Sequence, residues 1–290
     1  MRIITAEPTG LCFGVRRAIQ TVEHALSEGR PVYGLGSPIH NPQEVARLER
    51  LGLIVVDSEG AVPEGSTVFI RAHGVSPQVM EHLAAKNVTV IDGTCPFVRV
   101  VQNRAKELSD AGYHLLILGD AKHPEIAGIL GYVSGQSTVI SSVSSSTIFT
   151  SSGKIRKLGL VSQTTQEERV LAEVAACALQ AADELRVYNT ICRSTIERQN
   201  AVKKLASAAD GIIVIGGHDS ANTGKLYRIA QDSGCDVLWI EHADQLDRGW
   251  VLEKGVIGIA AGASTPDWLI EQLKNAIKSI AGRQGDVNNE

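Results

Sequence analysis

Aromatic residues are scarce in this sequence, making up 4% of its 290 residues. Proteins that bind single-stranded nucleic acids stack the bases on exposed aromatic rings, so this scarcity argues against such a partner. No block of basic residues occurs, and the formal net charge is −4. Long polyanions, including nucleic acids, are therefore excluded as partners, whereas a small anionic ligand can still be held by local donors.

Long apolar runs are also missing. None approaches the roughly 20 residues that a helix needs to cross a bilayer, so we expect no membrane partner. The chain opens on a strand-like segment, MRIITAEP, without the charged and apolar leader of a secreted protein. These features predict an unprocessed cytoplasmic protein.

Cysteine is limited to five residues, an odd number in a sizeable chain without a secretion leader, which argues against a disulfide framework. No Cys-x-x-Cys pair is present, so the local spacing typical of many metal sites is absent. The cysteines are therefore either buried structural residues or separate ligands that the fold must bring together.

Three of these cysteines follow short strand-like runs, RIITAEPTGLC, VTVIDGTC and LRVYNTIC, which end at Cys12, Cys95 and Cys192. A helical pattern follows each of them, and Pro96 fits a first helical position. Three further strands and their helices then recur in the same order in each repeat. This alternation predicts an α/β protein with three small, mainly parallel, four-stranded sheets.

The three equivalent cysteines sit at strand-to-helix junctions, where the helix N-terminus favours a thiolate. If the three repeats face one another, the thiolates meet at a common axis and need a metal centre to offset their repulsion. An iron–sulfur cluster with one open iron and a zinc ion with a bound water both fit three cysteines. Cys177, on an Ala-rich helix, and Cys235, before a strand, are predicted to be structural.

Polar residues in the other turns form a second set, each just after a strand and near a helix start. Helix N-termini offer free N–H groups and a positive dipole end, so these turns suit a diphosphate. Glu125 stands beside an imidazole and could relay protons, although a first-turn helix acid is also common. The set comprises His40, Asn41, His73, His123, Glu125, Thr164, Thr165, Ser220, Asn222, Thr223 and Ser264.

The motifs GLCFGVRRAI, SPIHNP, RAHGV, DGTCP, HPEIAG, SQTT, NTIC, DSANT and GAST occur in one order along the whole chain. In these motifs the sequence resembles the LytB/IspH family of 4-hydroxy-3-methylbut-2-enyl diphosphate reductases. The resemblance implies a trefoil of three α/β domains around a central 4Fe–4S cluster. The implied boundaries are 13–95, 96–192, and 193–282 together with 1–12, with 283–290 as a C-terminal tail.

The resemblance also implies the reaction, a reductive dehydroxylation that yields isopentenyl and dimethylallyl diphosphates in the last step of the non-mevalonate pathway. Cys12, Cys95 and Cys192 match the cluster ligands, and Glu125 matches the proton-delivering carboxylate, supported by Thr164. The implied diphosphate pocket consists of His40, His73, His123, Thr164, Ser220, Asn222 and Ser264. One departure is Ala221, where family members often carry Ser or Gly, so a side-chain contact to the diphosphate is lost there.

Two electrons are needed, so the resemblance implies an external one-electron donor such as a ferredoxin or flavodoxin. Two other functions remain open from the residues. One is a non-catalytic iron–sulfur sensor that binds a small diphosphate, against which Glu125 and Thr164 argue because a sensor needs no proton relay. The other is a zinc-dependent hydrolase, which would be colourless.

Overall fold

The computed structural model describes residues 1–145 and 153–287. Short strands alternate with helices along the whole of this part of the chain. The strands are β1 (Arg2–Thr5), β2 (Val32–Leu35), β3 (Leu53–Val56), β4 (Thr67–Ile70), β5 (Thr89–Asp92), β6 (His114–Leu118), β7 (Ser137–Ile140), β8 (Ile155–Ser162), β9 (Ala182–Val187), β10 (Gly211–Ile215), β11 (Asp236–Ile240) and β12 (Val256–Ala261). The helices are α1 (Phe13–Ser27), α2 (Pro42–Arg50), α3 (Pro77–Ala85), α4 (Pro96–Asp110), α5 (Pro124–Leu130), α6 (Glu168–Ala181), α7 (Arg193–Ala206), α8 (Ala221–Asp232), α9 (Arg248–Leu252) and α10 (Asp267–Val287).

The strands form three four-stranded sheets in which every pairing is parallel, which confirms the predicted fold class. The orders are β3-β2-β4-β5, β7-β6-β8-β9 and β11-β10-β12-β1. If the four strands of each repeat are numbered 1 to 4 along the chain, all three sheets have the strand order 2-1-3-4. The fourth strand, which leads to the cysteine, always stands at the end of its sheet, and β1 joins the sheet of the last repeat. The domain boundaries themselves stay a prediction.

By contacts, the chain forms two compact units. The first unit contains residues 1–15, 39–46 and the described part of 193–290, and it carries the sheet β11-β10-β12-β1. The second unit contains residues 16–38 and the described part of 47–192, and it carries the other two sheets.

Each core is built around central strands that are apolar on both faces, as parallel sheets covered by helices require. In the second unit, Leu115, Leu116, Ile117 and Leu118 of β6 are fully buried, and α4 and α5 pack against this sheet. In the first unit, all of β10 is buried between two apolar clusters that include residues of α7, α8 and α10. The carboxyl ends of these buried strands lead into the polar turns.

Proline marks the start of several helices, because its missing N–H costs nothing at a first helical position. Cys95 is the N-cap of α4 with Pro96 at its first position, as the sequence predicts. The last helix differs from the expectation. It continues to Val287, through most of the segment 283–290 expected to be a tail, and 288–290 lie outside the described residues. Leu273 and Ile277 anchor this helix in the core, so it tolerates the roughly 1 kcal/mol that an interior glycine costs.

Across residues 1–145 and 153–287, no helix combines the length and the apolar character that crossing a bilayer requires.

Candidate functional site

The three cysteines of the repeat share one backbone hydrogen bond. The N–H groups of Cys12, Cys95 and Cys192 donate to the carbonyl oxygens of Ala263, Ala72 and Thr164, at 3.1, 3.0 and 2.9 Å. Each acceptor lies two residues beyond the end of the third strand of its own sheet, β12, β4 or β8. The three thiols therefore occupy equivalent places relative to their sheets, as the repeat in the sequence predicts. All five cysteines are free of disulfides.

Buried polar side chains fix the turns that lead into these cysteines. The Thr190 hydroxyl donates to the Ser162 carbonyl at 2.7 Å and accepts the Ser162 N–H at 2.8 Å, which ties the NTIC turn to the end of β8. In the first unit, the Arg198 guanidinium of α7 donates to the carbonyls of Pro8 and Gly10 at 3.1 and 2.8 Å. These bonds set the backbone that precedes Cys12.

Glu125 and Thr164 meet in the interior of the second unit. Glu125 lies in the first turn of α5 and is 1% exposed, while Thr164 follows β8 and is also buried. The Thr164 N–H donates to one carboxylate oxygen of Glu125 at 2.7 Å, and the Thr164 hydroxyl donates to the other at 2.8 Å. Because the Thr164 carbonyl also accepts the Cys192 N–H, one residue connects the carboxyl group to a cysteine turn.

Burial raises the pKa of Glu125 from its ordinary value of 4.5 to about 7. Removal from water disfavours the charged carboxylate, and the two hydrogen bonds from Thr164 oppose this rise only in part. Glu125 therefore holds its proton near neutral pH and can also release it there. Such a pKa is the one that a general acid needs at neutral pH.

The imidazoles of His73 and His123 contact each other in the second unit, with their ring centroids 5.1 Å apart and the planes at 89°. His123 is the N-cap of α5, and its Nδ1 accepts the Glu125 N–H at 3.1 Å. A nitrogen that accepts carries no proton, so the neutral ring carries its proton on Nε2. His123 therefore caps the helix with its Nδ1.

In the first unit, the N-terminus of α8 presents the residues of the DSANT motif. Ser220 is the N-cap, and its hydroxyl accepts the Thr223 N–H at 3.3 Å. Asn222 is 5% exposed, and neither its amide oxygen nor its amide nitrogen has a hydrogen-bond partner within the described residues. A buried amide without a partner costs free energy, so this side chain is suited to a bound polar group.

Other predicted residues of the first unit lie on neighbouring turns. Asn41 caps α2, with its side-chain oxygen accepting the Glu44 N–H at 2.9 Å. His40 precedes it, and a Cβ on Gly217 would lie 2.6 Å from the His40 carbonyl oxygen, so this turn contacts the one before α8. Ser264 is buried and follows Ala263, the residue that accepts the Cys12 N–H.

Each unit thus collects a distinct part of the predicted set. The second unit brings Glu125 and Thr164 together, pairs His73 with His123, and links Thr164 to Cys192. The first unit holds His40, Ser220, Asn222 and Ser264 at the turns near Cys12. Whether these residues act as assigned stays a prediction. Cys235, predicted to be structural, packs beside an apolar cluster and lies 3.8 Å from the Ala209 carbonyl oxygen.

Sequence reasoning missed several buried residues that shape the site. Thr190, Arg198 and Gln163 bond to backbone groups of other segments, so their roles depend on contacts that the linear pattern does not reveal. Motifs contained a signal for all three. Gln163 lies in SQTT, Thr190 lies in NTIC, and Arg198 begins RQNAV, the further family motif that follows NTIC.

The model of the family described as LytB protein matches residues 3–278, nearly the whole chain. The chain belongs to the LytB family. Two relatives carry the name 4-hydroxy-3-methylbut-2-enyl diphosphate reductase. The protein of Citrifermentans bemidjiense is 42% identical over 280 residues, covering 97% of this chain and 98% of that one. The protein of Aquifex aeolicus is 42% identical over 286 residues, with the same coverage.

Two solved structures of reductases resemble this chain over most of its length. One, of (E)-4-hydroxy-3-methyl-but-2-enyl diphosphate reductase, is 41% identical, covers 96% of this chain and 100% of that chain, and has a TM-score of 0.70. The structure of the Plasmodium falciparum E-1-hydroxy-2-methyl-but-2-enyl-4-diphosphate reductase is 27% identical, covers 94% and 87% of the two chains, and has a TM-score of 0.89. The family's fold therefore extends over almost all of this chain.

Proposed function

We propose that the protein is a 4-hydroxy-3-methylbut-2-enyl diphosphate reductase, which removes the allylic hydroxyl group and yields isopentenyl and dimethylallyl diphosphates. The observation that carries this proposal is the buried Glu125 carboxyl group, with a pKa of about 7 and two hydrogen bonds from Thr164. A hydroxyl group leaves a carbon atom readily only as water, so the reaction needs a proton donor that is still protonated at neutral pH. The relatives named above bear the same activity in their names.

Each unit presents neutral donors of the kind that bind a diphosphate. We assign its binding to His40, Ser220, Asn222 and Ser264 of the first unit and to His73 and His123 of the second. Ser220 and His123 are helix N-caps, where free N–H groups and the helix dipole favour an anion. The amide of Asn222, which has no hydrogen-bond partner within the described residues, adds a further donor.

Cys12, Cys95 and Cys192 fit a 4Fe–4S cluster as three of its ligands. Each thiol follows a strand and precedes a helix, and each backbone N–H donates to a carbonyl oxygen at the equivalent position of its own sheet. Three thiolates leave one iron without a protein ligand, and the cluster when bound would supply electrons and a Lewis acid for the hydroxyl oxygen. Zinc remains the competing metal for three thiolates, and it supplies no electrons.

The protein's own residues then account for the proton at the hydroxyl group. The reaction consumes two electrons and two protons, forms one C–H bond and releases one water molecule. Glu125 gives one proton to the departing hydroxyl oxygen, and Thr164 holds the resulting carboxylate with its N–H and hydroxyl. The two electrons must be supplied by an external one-electron donor, which we propose to be a ferredoxin or a flavodoxin.

Anaerobic purification tests this function directly. The protein should be coloured, contain about four irons and four sulfides for each chain, and convert the hydroxylated allylic diphosphate when a low-potential reductant is added. Colourless protein with bound zinc would refute the cluster. A cluster that forms without any turnover, although the diphosphate binds, would favour the diphosphate sensor over the reductase.

A further inference from the structure

The residue directly after the third strand has a different chemical character in each of the three equivalent sheets. It is Arg71 after β4, Gln163 after β8 and Gly262 after β12. In the order 2-1-3-4, the chain leaves the first and third strands in opposite directions. The crevice beyond the carboxyl ends of these two strands is the usual place for a ligand in an open α/β sheet. The three residues therefore stand at the three crevices.

In the second unit, the side chains of Gln163 and Arg71 cross these crevices in the same manner. Each passes over the glycine that follows the first strand of its sheet, Gly119 or Gly36. A Cβ on Gly119 would lie 3.0 Å from the Gln163 side-chain oxygen, and a Cβ on Gly36 would lie 2.6 Å from a terminal nitrogen of Arg71. Gly36 also has a φ of +69°, which a residue with a side chain rarely adopts.

The two side chains differ in what they bond. The oxygen of Gln163 accepts the Asp120 N–H at 3.0 Å, so Gln163 closes the turn that follows β6. A guanidinium group cannot accept a hydrogen bond, so Arg71 cannot do the same for its own sheet. The Nε of Arg71 is buried without a hydrogen-bond partner, and the guanidinium has no ion pair within residues 1–145 and 153–287.

An uncompensated cation in this place is costly for the protein. Burial lowers the pKa of Arg71, and among the described residues no acidic group offsets this effect. Two residues further along the chain, His73 contacts His123, and both are assigned to the diphosphate. The planar guanidinium group offers paired N–H donors that match phosphate oxygens. A bound anion would therefore supply the negative charge that the guanidinium group of Arg71 needs as a partner.

We infer that Arg71 binds the diphosphate of the substrate, as an additional anion-binding residue at the crevice between β2 and β4. The inference rests on the proposed function for the identity of the ligand. Arg71 would add a full positive charge to the hydroxyl, amide and imidazole groups already assigned to the diphosphate. The inference also explains why arginine stands where the neighbouring sheet carries a turn-closing glutamine.

The test replaces Arg71 by the residue of the equivalent position, Arg71→Gln, in the cluster-loaded protein. The diphosphate is unchanged by the reaction, so the loss should raise KM roughly 10- to 100-fold and leave kcat within about twofold. Inorganic diphosphate, titrated calorimetrically, should bind more weakly by a similar factor. Arg71→Lys keeps the charge without the paired donors. Its KM and its affinity for inorganic diphosphate should lie between those of the wild type and those of Arg71→Gln. Arg104→Gln is the control, because Arg104 is exposed and pairs with Glu107 at 2.6 Å.

A second measurement separates binding from a structural role. Without ligand, Arg71→Gln should melt at the wild-type temperature or above it, since it removes a partly buried charge that has no acidic partner among the described residues. Unchanged affinity for inorganic diphosphate, or a lower melting temperature with loss of iron, would overturn the inference. If the wild type binds diphosphate through Arg71 and yet never reduces the allylic substrate, the proposed function fails and the anion site stands.

Discussion

The buried carboxyl group of Glu125 makes the stability of the protein depend on pH in an unusual direction. Its pKa is about 7 in the folded protein and 4.5 in its ordinary state. Between these values the folded protein keeps a proton that the unfolded chain has lost, so stability falls as pH rises through this interval. Below pH 4.5 both states are protonated, and above pH 7 both are ionised, so the dependence levels off at each end.

The substitution Glu125→Gln removes this dependence while keeping the contacts. The amide oxygen of Gln can accept the Thr164 N–H, and the Thr164 hydroxyl can turn to accept from the amide nitrogen. At about 1.4 kcal/mol for each pH unit, the interval from 4.5 to about 7 corresponds to about 3 kcal/mol. We therefore expect the variant to equal the wild type near pH 4 and to exceed its stability by up to about 3 kcal/mol at pH 8.

Melting temperatures measured anaerobically from pH 4 to 8.5 test this expectation, with equal iron content as the control for intact folding. A difference of about 3 kcal/mol corresponds to roughly 6–12 °C for a unit of this size. Turnover should move the opposite way, falling roughly 10²- to 10⁴-fold, the usual contribution of a general acid. A constant difference in melting temperature across the pH range would refute the assigned pKa. Wild-type turnover in the variant would remove Glu125 from the reaction.

Three further substitutions have definite expected outcomes. Thr164→Val removes a hydrogen bond that lowers the pKa of Glu125, so the loss of activity at alkaline pH should shift to higher pH, as a pH–rate profile would show. Cys192→Ser should reduce iron and sulfide content sharply, whereas Cys177→Ser should leave both at wild-type levels. Gly262→Ala should lower the melting temperature and weaken diphosphate binding, because a Cβ there collides with a buried hydroxyl of α8.

The alternation of strands and helices could be predicted because local signals agreed along the chain. Apolar runs ending in a glycine or a polar turn marked every strand of the repeat, and Pro96 marked a helix start beside a cysteine. Glu125 and Thr164 were found through their places in HPEIAG and SQTT. Their direct hydrogen bonds join residues 39 positions apart, so only the fold shows them.

The residues that sequence reasoning missed depend on how distant parts of the chain come together in the fold. Thr190 resembles any turn threonine, and its two bonds to Ser162 arise only when β8 and β9 pair. Arg71 lies in the RAHGV motif, of which only His73 was assigned to the site from the sequence. Its significance depends on a comparison with Gln163 across two sheets, and on the lack of an acidic neighbour in the part of the chain that the structure describes. A linear sequence displays neither.

The strands that lead to the cysteines, β1, β5 and β9, each stand at the end of a sheet and, within the described residues, pair on one side only. An unpaired strand side is a template for association with a second molecule. These strands are four, four and six residues long and carry charges such as Arg2, Asp92 and Arg186. Short, charged end strands resist such association. Apolar replacements there would favour aggregation during synthesis even when the thiols and the chemistry are untouched.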